Sequence, residues 1–350
     1  MCQFAAFVLT KTEILWTASN SHEDIIDTYG LRHLDREPIG LVRVEVTPPE
    51  QVDAIDDLYR WEFKVDVNHK LPDWTFLNDP DLKSRTFKAL TKRSRDEGWF
   101  KKETSDTQVM VGLGGQAKIS DSSPQLDTQA TAGPFGKAVT HYRGQAVAAT
   151  KGRAEGGLDS QAVAGREGTA ITEDFSQAMA GVGGLAISGE GGQSQIVDQG
   201  AAQAGDSGQA TAGENGLAKV GTTGQAMASI GGKVLGGLRG KAVSGYCGQS
   251  IVGELGHALA GNMGQAIGDF QACAESGNRG HSIALEGLVR AGELGIIQIK
   301  WFDHTTNRHR ITVGYVGENG IKPDTWYEVN RNGELVEVHV IPEDLDTTKW

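Results

Sequence analysis

The sequence predicts a mainly β protein. Its centre is a two-sided parallel β-solenoid, with one octapeptide per side and sixteen residues per coil, set between a small N-terminal α+β domain and a short C-terminal β cap. Three observations carry this. Glycine supplies 48 of 350 residues while proline supplies 9, and the glycines recur at fixed intervals, unlike those of a disordered chain. Counted from Thr128, eighteen octads follow without insertion to the unit that begins at Gly264; position one is Gly in fifteen of them and position three is Ala in fifteen. Within the octads lies a second period: position two is Gln at 129, 145, 161, 177, 193, 209 and 225, whereas the alternate units carry Lys137, Arg153, Thr169, Leu185, Ala201, Leu217 and Lys233.

Residues 1–104 read as the α+β domain. Phe4–Thr10 and Glu13–Thr17 form a hairpin around Lys11-Thr12. Ser21 caps a short helix that Gly30 ends, and Leu41–Val46 and Trp61–Val67 alternate as strands do. A second helix starts at Asp79-Pro80, a cap followed by proline at the first helical position, and stops at Gly98. Residues 105–127 form a linker with a degenerate first coil at Gly115-Gln116-Ala117, and residues 128–290 the repeat proper.

Each octad reads as a five-residue strand and a three-residue turn, with glycine where the backbone needs positive φ or close approach. Residues one coil apart lie about 4.8 Å apart and form ladders, and like stacks well on like. Gln129, Gln145, Gln161, Gln177, Gln193, Gln209 and Gln225 are therefore expected to stack, and nine coils make a rod of roughly 43 Å. The Gln rule breaks at Lys241 and His257, where a less regular end is expected. Alternation turns positions one, three and five to one face, and their small side chains place that face inside. Position four then points outward as apolar ladders: Val147, Val163, Met179, Ile187, Met227, Leu235, Val243, Ile251, Leu259 and Ile267. A monomer rarely exposes such strips, so they are candidate partner surface. The inverse orientation, with the larger side chains inside, stays open.

Residues 291–342 leave the octad rule. Ile296–Asp303, Ile311–Val316, Trp326–Val329 and Leu335–Val340 read as strands, with Asn332-Gly333 turning the last hairpin. They supply a cap for one solenoid end. Residues 343–350 are an acidic tail.

The opening Met1-Cys2-Gln3-Phe4-Ala5-Ala6-Phe7-Val8-Leu9-Thr10-Lys11 resembles the start of a group of uncharacterised bacteriophage and prophage proteins. Ser21-His22-Glu23-Asp24-Ile25-Ile26, Leu41-Val42-Arg43-Val44-Glu45-Val46 and the tail segment Val313–Gly320 add to the likeness, which spans nearly the whole chain. It implies a phage origin and transfers no activity. The octads are also similar to those of ice-nucleation proteins, but the flat Thr-x-Thr ladder of those arrays is replaced here by Gln-Ala-Val-Ala. A third similarity is to the Val-x-Gly octads of trimeric phage needles, at Val163-Ala164-Gly165, Val243-Ser244-Gly245 and Ile251-Val252-Gly253.

The formal charge of −12 is spread along the chain with no basic stripe, so a nucleic-acid footprint is not expected. Cys2, Cys247 and Cys273 have no metal-ligand or disulfide spacing, which suits a reducing compartment. The apolar run Phe4–Leu9 is too short for a signal peptide, and no run reaches membrane length.

Cys2 is the sharpest catalytic candidate, since loss of Met1 leaves an N-terminal cysteine whose amine can act as base. Against it, the leading domain is about half the size such hydrolase folds need, and their glycine-rich oxyanion motifs are not evident. His22 and His33 read as surface helix residues. His304 and His309 beside Asp303 sit in a turn whose arginines, Arg308 and Arg310, repel a cation. Lys83, Arg85, Lys88, Lys92, Arg93 and Arg95 read as a solvated helix face. No catalytic, cofactor or metal residue is assigned. The expected function is a non-enzymatic, oligomeric scaffold or binder made by a phage, acting on a host or phage protein in the host cytoplasm. The alternatives are a homotrimeric virion fibre or needle and, weaker, a hydrolase using Cys2.

Overall fold

The structure, a computed structural model, describes residues 5–36, 39–49, 56–66, 70–120 and 128–339. Cys2, residues 121–127 and the acidic tail lie outside them. The chain divides into two units, one of residues 1–101 with 111–115, the other of residues 102–110 with 116–350.

In the first unit, β1 (Ala5–Thr10), β2 (Ile14–Leu15), β3 (Leu41–Thr47) and β4 (Glu62–Val65) form an antiparallel sheet in the order β2-β1-β3-β4. Every residue of β1 is buried. Helix α1 (His22–Thr28) begins where the Ser21 hydroxyl accepts from the Asp24 amide, as the cap motif predicts. Helix α2 (Pro80–Asp96) is capped by Asp79 and followed by Gly98 at φ +66°. Its basic face is not wholly solvated. Arg93 is only 1% exposed, its guanidinium lies 5.7 Å from the Phe7 ring and 5.5 Å from the Trp99 ring, and it donates to Glu97 and to the Thr17 carbonyl. Arg85 reaches the Thr10 carbonyl. The helical period alone could not reveal this, because a long cation enters a core only where aromatic faces and carbonyls receive it. His22 is likewise buried, at hydrogen-bond distance (3.0 Å) from the Val44 carbonyl, rather than on the surface.

The second unit is the solenoid. Strands alternate between two sheets, and each pairs in parallel with the strand sixteen residues on: Gln145–Ala148 with Gln161–Ala164, Arg153–Gly156 with Thr169–Thr172, and so to the end of the repeat. About twelve turns span residues 102–300, a stack of roughly 58 Å. The coils thus start at Lys102, ahead of the octad count from 128, and continue past residue 290 into Ile296–Asp303. Parallel pairing persists at both ends because the ladder needs backbone registry, not the Gly/Ala consensus; two late coils even close with fifteen residues.

The inside-out question is resolved. Positions one, three and five are buried, position two is exposed along the Gln row and half-buried in most alternate units, and position four is mostly half-buried, as in Gln161–Ala164. The small residues are inside. Where position three becomes serine, the residue six earlier is also serine, and the hydroxyls pair across the core: Ser188 with Ser194, Ser244 with Ser250, Ser276 with Ser282. Each position-three hydroxyl also donates to a carbonyl, such as that of Gln203, so none of these buried groups goes unsatisfied.

At the corners the structure corrects the turn chemistry. The amide of position one donates to the carbonyl of position six, as Gly168 to Gly165 at 3.0 Å, and position eight has positive φ, the signature of a type II turn. Such turns favour glycine at that place, yet fifteen of the eighteen position-eight residues are not glycine, and all fifteen lie at φ 52–58°. The amide of position eight bonds the position-seven carbonyl of the next coil, Lys151 to Arg166 at 2.8 Å, so stacking holds the strained residue. The glycines serve close approach instead. A Cβ on Gly168 would sit 2.9 Å from the Ala164 methyl and from the Gly152 carbonyl oxygen; one on Gly165, 2.7 Å from the Thr150 nitrogen.

This separates two substitutions one residue apart. Gly168→Ala should destabilise by about 2 kcal/mol or more through overpacking. Glu167→Gly should be neutral or stabilising by up to about 1 kcal/mol, since relief of left-handed strain opposes added chain entropy. Thermal unfolding of the two variants measures the contrast.

Candidate functional site

The sixteen-residue coil distributes the predicted outward side chains over two opposite faces. Val147, Val163, Met179, Met227, Val243 and Leu259 stand on the sheet that carries the Gln row. Ile187, Leu235, Ile251 and Ile267 stand on the other. They form two interrupted rows, not one strip. Gln195 and Thr211 break the first row between Met179 and Met227, and Gln203 and Lys219 break the second before Leu235. Most are half-buried because the strands above and below shade them; Met227 is 51% exposed. Ile171 and Ile283, which extend the second row at its two ends, occupy position four of their own coils and were readable from the spacing.

The Gln stack is present as a hydrogen-bonded chain. Gln129, Gln145, Gln161 and Gln177 each donate to the Gln one coil on, at 3.4–3.5 Å, ending on Gln193. Gln209 and Gln225 continue the same register. On the other face Gln249 donates to Gln265 at 2.7 Å.

The coil does not become irregular at Lys241 and His257. Their strands pair in unbroken register with Gln225 before and Cys273 after. At His257 the cap reaches the sheet: the Trp326 ring lies 6.2 Å from the His257 ring and 5.0 Å from the Arg290 guanidinium. His257 is 5% and Cys273 3% exposed, and Glu275 pairs with Arg290 beside them. A Cys, a His and a Glu are thereby neighbours, and burial works against charge on the first two. Burial pushes the Cys273 thiol up to about 12 and draws the His257 imidazole down to about 4, helped by Lys241 and Arg290. A thiolate–imidazolium pair is disfavoured on both sides.

Asp303, His304 and His309 are engaged within their own hairpin. The Asp303 carboxylate accepts from the hydroxyls of Thr305 and Thr306 and from Arg310 Nε (2.6 Å), contacts that hold it well below the usual carboxylate range. The His304 and His309 rings pack on Phe302 at 5.0 and 5.1 Å. Among the described residues no group of three or more His, Cys, Asp or Glu is placed to hold a metal ion, and no helix is long and apolar enough to cross a membrane. A crevice of about 580 Å³ opens between the last coils and the cap, with Leu288, Ile299, Trp301, Phe302 and Val329 below and Glu286, Glu328 and Arg331 at its rim. Its walls come from separate segments, so no sequence motif announces it.

His257 makes the cap acid-sensitive. Its value when unfolded is about 6.5 and when folded about 4, so the unfolded chain binds the extra proton more readily in between. Stability is full above about pH 6.5 and falls, by about 3 kcal/mol, as pH drops towards 4. Urea unfolding at pH 7 and pH 4.5 should show this loss, and His257→Gln should remove that part of it; equal slopes would contradict the assignment.

Comparison of the chain with protein-family models, with curated proteins and with solved structures gives no match.

Proposed function

We propose that the chain is a non-enzymatic β-solenoid scaffold of phage origin that binds a protein of the host, such as a component of its defence, in the host cytoplasm. The supporting observation is the row Leu235, Ile251, Ile267 and Ile283, four large aliphatic side chains on consecutive coils of one face. Such a row, on one sheet and bordered by Lys219 and Lys233, suits a protein surface with apolar and acidic character. The phage origin rests on the likeness of the leader and tail segments. A trimeric needle pairs strands between chains, whereas the pairing of each repeat strand with the residues sixteen on in its own chain favours a single-chain coil.

The test is affinity capture from infected cells, with mass spectrometry of what is retained. The reading expects a specific host protein to be enriched by the native chain and lost, at least tenfold, with the double variant Ile251→Lys, Ile267→Lys. No enrichment over a control bait, or undiminished capture by the variant, contradicts it.

A further inference from the structure

We propose that the Gln-bearing face of the solenoid is a self-association surface, on which a second copy of this chain packs face to face with its rod antiparallel. This rests on the binding-scaffold reading and names one of its partners.

The first observation is charge. Across the seven coils from Gln129 to Met227, positions two and four of this face hold only Gln, Thr, Val and Met. The opposite face over neighbouring coils carries Lys137, Arg153, Glu155, Lys219 and Lys233. The chain is 22% charged, so an uncharged strip of this length on one face alone is a built feature. Its corners restore the charge, with Lys151 and Glu167 along one edge and Asp159 and Asp174 along the other. A neutral centre within a charged rim is the anatomy of a protein interface.

The second observation is size. Seven coils at about 4.8 Å by five strand residues at about 3.3 Å give roughly 550 Å² per copy. Two copies together bury about 1,100 Å², enough to clear the roughly 1,000 Å² of a specific interface.

The third is self-complementarity. A two-fold axis along the strand at Gln177 sets Gln against Gln and the position-four row against itself. Met179 then meets its own copy, Val163 faces Gln195 and Val147 faces Thr211, with no charge buried anywhere along the seam. A hollow of about 100 Å³ beside Met179, lined by Gln193, Gln195 and Thr211, lies where the axis delivers Val163 of the other copy. Amide side chains already aligned by hydrogen bonds along the stack lose little further freedom on contact.

The test uses the full chain with Cys2 and Cys247 replaced by serine. Sedimentation equilibrium at tens of micromolar should give twice the chain mass. Val163→Glu with Met179→Glu should return it to one chain mass, while Ile187→Glu on the opposite face should not; circular dichroism confirms that each variant is folded. Under mild oxidation Met179→Cys should form an intermolecular disulfide and Ile187→Cys should not. A monomer or trimer mass, or crosslinking through Ile187→Cys alone, overturns the proposal. Host-protein capture by a monomeric chain sinks this inference and spares the scaffold reading; a dimer that captures nothing does the reverse.

Discussion

Everything in the solenoid depends on how closely one coil approaches the next at the corners. The glycines of positions one and six leave no room for a Cβ: the nearest atoms are backbone of the preceding coil or the small core side chain four residues earlier, at 2.7–3.0 Å for Gly165, Gly168 and Gly181. At two places where the rule is relaxed, the partner shrinks. Ser160 at position one stands against Gly156, and Ala272 against Gly268. That reciprocity marks a contact filled to its limit, as close-packed interiors require.

From that contact the remaining features follow. Stacking in register lets each position-eight amide bond the coil above, and this ladder sustains a left-handed residue of almost any type. Corner Asp and Asn side chains add to it: Asp174, Asp198 and Asp206 each accept from a backbone amide sixteen residues on. With the inside filled by alanine and serine, large side chains are left to the outer faces, and the two octads of a coil evolve separate surfaces. One becomes neutral, the other charged and aliphatic.

The repeat period, the sixteen-residue coil and the buried face were legible because side-chain size and spacing encode them directly. So were Ser21, Asp79 and the strand Ile296–Asp303, each fixed by local chemistry. The positive φ at position eight was not legible, because the force that imposes it comes from the neighbouring coil and leaves no residue preference behind. The change from Gln to Lys241 and His257 looked like a loss of order from the sequence; Trp326, which packs near His257, is more than fifty residues further along the chain. Arg93 hid for the same reason, its aromatic partner Phe7 lying on another element. Of the candidate site, the sequence supplied the residues, and the fold supplied their division between two faces.

The central claim is that residue i lies over residue i+16 of the same chain. Pyrene labels on cysteines introduced at Arg153 and Thr169 (with Cys2 and Cys247 replaced by serine) test it directly, away from the Gln-bearing face. The account predicts strong excimer emission for that pair, independent of protein concentration, and none for labels at Gln145 and Arg153, which stand on opposite sheets. Excimer emission from the eight-residue pair, or from the sixteen-residue pair only when differently labelled chains are mixed, would contradict the coil on which the rest is built.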